Sequence, residues 1–115
     1  MAQPKKDRHI RIKMKYLRQI QFGSKTLEAR ANYSSLRKIR AGQNLIFYCN
    51  DVKVKTKVVA IRKYKDVVSM IDSEDLEILL PDHSRQEAIS VYRAIYPDQK
   101  VKENNGMLVI EVKTI

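Results

Sequence analysis

The sequence predicts an α+β domain: a small, partly closed β-barrel of about five or six strands with helices at its periphery. Three observations predict it. Segments of period-two alternation recur along the chain and are interrupted by segments of helical period. Turn signals at Asn50-Asp51 and Asn104-Asn105-Gly106 mark where strands end or begin. The chain has 115 residues with only three glycines and three prolines, which suits one compact core rather than a linker or several domains. Mostly antiparallel strands in so small a sheet leave edges to protect, and curling the sheet toward closure removes them.

Taken in order, residues 1–8 read as a flexible basic tail and residues 9–115 as a single domain. From His9, apolar Ile10, Ile12 and Met14 alternate with His9, Arg11, Lys13 and Lys15, the pattern of a strand with one face inward. Tyr16, Leu17 and Ile20 then recur at helical spacing, and Gly23 can close that short helix in a left-handed conformation. A strand is expected over residues 26–31, placing Glu28 and Arg30 on one face. Ser34 or Ser35 caps a short turn through Leu36 and Ile39 that ends at Ala41-Gly42.

Asn44 to Cys49 reads as a buried strand, and the turn at Asn50-Asp51 pairs it in a hairpin with residues 52–61. In that second strand Val52, Val54, Thr56 and Val58 face one way and Lys53, Lys55 and Lys57 the other. Short helical pieces follow over 66–71 and 73–80, halted by Pro81. Ser84-Arg85-Gln86-Glu87 is a capping box, in which the Ser hydroxyl and the Glu carboxylate each satisfy a backbone donor at a helix start. Ala88, Val91, Tyr92 and Ile95 keep the 3.6-residue period behind it, and Pro97 ends that helix. A final strand over 107–113 sets Leu108, Ile110 and Val112 on one face.

The net charge of +10 is distributed unevenly. Residues 1–65 carry 18 basic and 3 acidic side chains, whereas residues 66–115 carry 5 basic and 10 acidic ones. The first half therefore builds an electropositive surface, and nucleic acid is the common polyanion that rewards one. A basic solubilising surface is the competing reading. The acidic second half alternatively suits a protein partner. No apolar run approaches the roughly 20 residues of a membrane span, and the charged N-terminus has no secretory pattern, so a cytoplasmic protein is expected. Cys49 is the single cysteine and only His9 and His83 accompany it, so neither a disulfide framework nor a metal site is expected, and no cofactor motif is present.

The candidate site is the run Gly23 to Arg30, which sets an ammonium (Lys25), a carboxylate (Glu28) and a guanidinium (Arg30) within six residues. Two readings stand. In one, Glu28 and Arg30 form an ion pair that ties strand to helix, with Lys25 solvated. In the other, the three converge in a recess. Lys25 and Arg30 then hold a phosphate or carbonyl oxygen, and Glu28 accepts a hydrogen bond from an amine or ring N–H. Lys25 and Glu28 are also the candidates for general acid/base work, although no catalytic residue is assigned. A second candidate is the Lys53, Lys55 and Lys57 face, continued by Arg62, Lys63 and Lys65. It serves either to protect an edge strand or, with Arg11 and Lys13, to track a phosphate backbone while Tyr48, Tyr33 or Tyr64 stacks on a base.

Gly23, Lys25, Glu28 and Arg30 reproduce the G-x-K-x-x-E-x-R signature of the ASCH domain, a relative of the PUA RNA-binding fold. The flanks are similar as well: Tyr16 and Ile20 before the motif, Ile39-Arg40-Ala41-Gly42-Gln43 leading into an apolar strand, and Ile95-Tyr96-Pro97 before the last strand. Residues 9–115 thus resemble an ASCH domain, which implies a PUA-like β-barrel, a cleft holding the signature residues, and RNA or a nucleotide as partner. Some small members hydrolyse acetylated cytidine with a Lys, a Thr and a Glu. Lys25 matches the first, Glu28 stands where the Thr would be, and the acid's place falls near Pro81-Asp82. The resemblance therefore implies RNA binding first, with hydrolysis of a modified nucleoside in the same cleft as the alternative.

Overall fold

The computed structural model describes residues 7–115. Most of the tail read over residues 1–8 lies outside the described residues, but Arg8 is already the first residue of a strand. In chain order the elements are β1 (Arg8–Arg11), α1 (Met14–Phe22), β2 (Leu27–Ala31), a 3-10 turn (Ser34–Leu36), β3 (Asn44–Cys49) and β4 (Val52–Tyr64). They continue with α2 (Val67–Ser73), α3 (Leu76–Leu79), α4 (Arg85–Ile95), α5 (Asp98–Glu103) and β5 (Met107–Thr114). The strands form one five-stranded sheet in the order β1-β3-β4-β5-β2, curled into a half-barrel. Every pairing is antiparallel except β1 with β3, which runs parallel.

Two cores flank this sheet. On its concave side Leu17 and Ile20 of α1 pack with Leu36, Ile39, Phe47, Val58, Leu108 and Ile110. On the other side Val67, Met70, Leu79, Ala88 and Tyr92 from the helices cover Leu27, Ala29, Ala31, Met107 and Val109. β5 is therefore buried on both faces from Met107 to Ile110, which explains why its apolar run is nearly continuous rather than alternating. Each large aliphatic side chain so buried contributes about 1.5–3 kcal/mol relative to exposure.

The chain breaks its own alternation once. Val58 pairs with Val112 but Ala60 pairs with Glu111, so Val59 is an extra residue in β4. This bulge swaps the faces. Before it Val54, Thr56 and Val58 point inward; after it Ile61 packs inward while Arg62 and Tyr64 turn toward the helices. The bulge sets Arg62 on the same sheet face as Lys53, Lys55 and Lys57, but Arg62 does not extend their open surface as expected, because it pairs there with Glu74 of the α2 C-cap and with Glu111, while Lys63, opposite Leu108, falls on the other face.

Two further differences concern ends. Met14 is the first residue of α1 rather than part of a strand, and Pro97 does more than stop α4. It stands at the N-cap of α5, a short helix that the proline was not expected to start. Gly106, at φ 112°, ends the turn after α5, and a Cβ there would collide with the Tyr64 carbonyl.

Candidate functional site

Lys25 reaches its place because α1 ends abruptly. Gly23, at φ 85°, donates to the Ile20 carbonyl, while Ser24 and Lys25 both donate backbone N–H groups to the Gln19 carbonyl. This double closure turns the chain in two residues and aims the Lys25 side chain inward. β2 then alternates: Leu27, Ala29 and Ala31 meet the helical core, and Glu28 and Arg30 stand on the opposite face beside Ile110 and Leu108.

The three charges converge. Lys25 is only 1% exposed, and its Nζ donates to the Leu27 carbonyl at 2.6 Å and to the carbonyl of Leu79, the last residue of α3. Glu28 Oε1 lies 3.6 Å from the same nitrogen, close enough for ion pairing but too long for a good hydrogen bond. Arg30 Nε and Nη2 both meet Glu28 Oε2 at 3.0 Å. Its Nη2 also donates to the Arg11 carbonyl at 2.7 Å, spanning from edge strand β2 to edge strand β1. The ion pair read from the sequence is present, but Lys25 is not the solvated partner of that reading. It is among the most deeply buried side chains of the protein, with its ammonium 5.7 Å from the Tyr16 ring centroid.

Burial lowers the Lys25 pKa below its ordinary value, the Glu28 carboxylate opposes that shift, and the Arg30 charge adds to it. Nearby phenols shift the other way. Burial raises Tyr92 strongly, with the Glu28 charge adding to it, and pushes Tyr96 up to about 12. Both stay neutral hydroxyls at physiological pH.

These groups line a cavity of about 540 Å³, a size suited to a nucleoside or nucleotide. Tyr16 of α1 and Tyr92 and Tyr96 at α4 add aromatic surface to its lining, and Arg11 and Lys13, both exposed, belong to it as well. Half-buried Cys49 lines it too, rather than disappearing into the core. The tyrosines' role has no local signature, since Tyr16 and Tyr92 fit helical core positions, and no local pattern shows that a carbonyl 54 residues away holds Lys25. Asp82 is exposed at φ 66° and does not line the cavity, so it supplies no acid there.

Lys53, Lys55 and Lys57 lie apart from the cleft floor, exposed on the convex side of β4. Tyr48 is the register partner of both Lys53 and Arg11, which places Arg11 on that same convex face. Of the other tyrosines named as stackers, Tyr64 hydrogen-bonds Glu74 and Tyr33 packs edge-on to Tyr96 beneath the Lys100 ammonium. Among the described residues no group of three or more His, Cys, Asp or Glu side chains could hold a metal ion, and no helix is long and apolar enough to cross a membrane.

No family model and no curated protein matches the chain. Solved structures do. The crystal structure of the hypothetical protein PH0355 superposes with a TM-score of 0.86 at 30% identity, covering 96% of this chain and 100% of that one. The solution NMR structure of protein PF0455 from Pyrococcus furiosus gives 0.78, also at 30% identity, over 96% of this chain and 98% of that one. With identity at that level over essentially the whole length of both proteins, the chain belongs to one family with PH0355 and PF0455.

Proposed function

We propose that this protein binds RNA, receiving one nucleotide in the Lys25/Glu28/Arg30 cleft while its basic strand face holds the flanking phosphates. One observation carries the reading: Arg11 lines the cleft and also belongs to the lysine-bearing sheet face, so the two are continuous. Glu28 Oε1 faces the Lys25 ammonium at 3.6 Å, too long for a good hydrogen bond, and keeps lone-pair capacity to accept one from an exocyclic amine or ring N–H. The tyrosines offer apolar surface to a base, and Arg11 and Lys13 offer cations to its phosphates. The ASCH-like signature and its flanks agree with this use of the cleft.

Titrating a labelled single-stranded RNA at two salt concentrations tests it. With about three phosphates engaged, affinity should fall roughly 20-fold between about 50 and 200 mM salt, and Arg11→Ala should reduce the logarithmic salt slope by about 0.7. Absence of binding at the lower salt, or affinity indifferent to salt, refutes the proposal.

A second reading rests on the buried Lys25 ammonium, whose pKa burial lowers, set beside a carboxylate in a cavity. In it the protein hydrolyses an acyl group from a modified nucleoside, with Glu28 as general base and Lys25 polarising the carbonyl. Turnover of an acyl-nucleoside panel decides it. Equal rates for the wild-type protein and Glu28→Gln dismiss Glu28 as base.

A further inference from the structure

Among the described residues, nothing from either hydrophobic core covers the convex face of β1, β3 and the first half of β4. Neither hydrophobic core includes a side chain from it, since Ile10, Leu45, Phe47, Val54 and Val58 all point the other way. Cross-strand register puts His9 beside Ile46 and Arg11 beside Tyr48 on this face, with Lys55 opposite Ile46 and Lys53 opposite Tyr48. His9 is exposed and Tyr48 half-buried, and their rings lie edge to face with centroids 6.5 Å apart. No residue of these strand segments is acidic; Asp7, bonded to Asn44, and Asp51 in the turn sit at the ends.

An aromatic pair on an open sheet, ringed by cations and free of carboxylates, is more than a solubilising surface. Lysines alone keep an edge soluble and need no ring between them. Phosphates alone need no ring either, and a duplex keeps its base faces stacked inside. A single strand presents both chemistries together: charge along its backbone and a π-face on every base.

We infer that the convex sheet face is a base-stacking platform for single-stranded RNA, with Tyr48 and His9 holding the base next to the one in the cleft. This rests on the RNA-binding reading and adds to it a strand selectivity and a second base site. Arg11, opposite Tyr48 in the ladder and part of the cleft lining, grips the phosphate between the two bases. Lys53 and Lys55 hold the next phosphates outward.

The experiment compares an unstructured single strand of about eight nucleotides with an RNA duplex of the same length, by fluorescence anisotropy at fixed salt. The single strand should bind at least about tenfold more tightly, and Tyr48→Leu should lose about tenfold in single-strand affinity, on the scale of one stacked base. Tyr48→Phe should retain the affinity, because the phenyl ring stacks equally well. The denaturation midpoint of Tyr48→Leu, read alongside, should match the wild type, and 4-thiouridine crosslinks should map to His9 or Tyr48. Equal affinity for duplex and single strand, or a well-folded Tyr48→Leu that binds as the wild type does, overturns the platform while leaving cleft binding intact. A wild-type protein that binds neither RNA overturns the cleft reading together with the platform.

Discussion

Glu28 and Glu74 invite comparison. Each is a nearly buried carboxylate, and each takes an arginine from a strand: Arg30 of β2 for Glu28, Arg62 of β4 for Glu74. Glu74 is saturated, because Arg62 bonds both of its oxygens at 2.6 and 2.8 Å and the Tyr64 hydroxyl adds a third donor. The Arg62 guanidinium is held above its ordinary pKa mainly by that bond, and Glu74 below its own. Glu28 instead receives both Arg30 nitrogens on one oxygen and keeps the other beside Lys25, at the wall of a cavity. The same residue types thus make a clamp in one place and a receptive site in the other. What separates them is a spare acceptor atom and the space in front of it.

Breaking each carboxylate measures the difference. Glu28→Gln leaves the 1%-exposed Lys25 with no countercharge and should cost about 3 kcal/mol in denaturant unfolding, the scale of a broken buried pair. Glu74→Gln should cost less, about 2 kcal/mol, because Arg62 is about a third exposed and keeps Glu111 as a partner. If the two losses came in the opposite order, Lys25 would not depend on Glu28 as described. Tyr64→Phe removes one donor from Glu74 and should cost about 1 kcal/mol.

The gentlest probe is pH. Because burial lowers the Lys25 pKa, the unfolded chain binds more protons than the folded one between that lowered value and 10.5, so stability rises with pH across that window. Above about 10 the raised phenols act in the other direction: Tyr96, at about 12, remains protonated in the fold after the unfolded chain has lost its proton, so stability falls. Urea midpoints measured across this range should rise and then fall. Lys25→Met should abolish the rise and leave the fall, and a rise that persists in that variant would assign it to another group.

Local signals in the sequence carried most elements. The Ser84–Glu87 capping box is formed in both directions, and β3 ends at the residues its apolar run suggested. Gly23 closes α1 through a left-handed turn as expected, and the three signature charges do meet. What stayed illegible depends on distant chain. The Val59 bulge arises from how β4 meets β5, and the parallel β1–β3 ladder joins segments more than 30 residues apart. Whether Lys25 is solvated or joins Glu28 and Arg30 in a recess stayed open in the sequence, because its burial is made tolerable by the distant Leu79 carbonyl together with the Leu27 carbonyl and the Glu28 charge. The tyrosines of the cleft carry helix-core spacing, so nothing local distinguishes a ring that packs from a ring that also lines a cavity.

Arg30 has a consequence for mechanics. One guanidinium both neutralises the cleft carboxylate and fastens the two free margins of the sheet to each other through the Arg11 carbonyl. Any guest that draws this group toward itself therefore loosens a rivet, and occupancy of the hollow becomes coupled to how tightly the cylinder is wrapped.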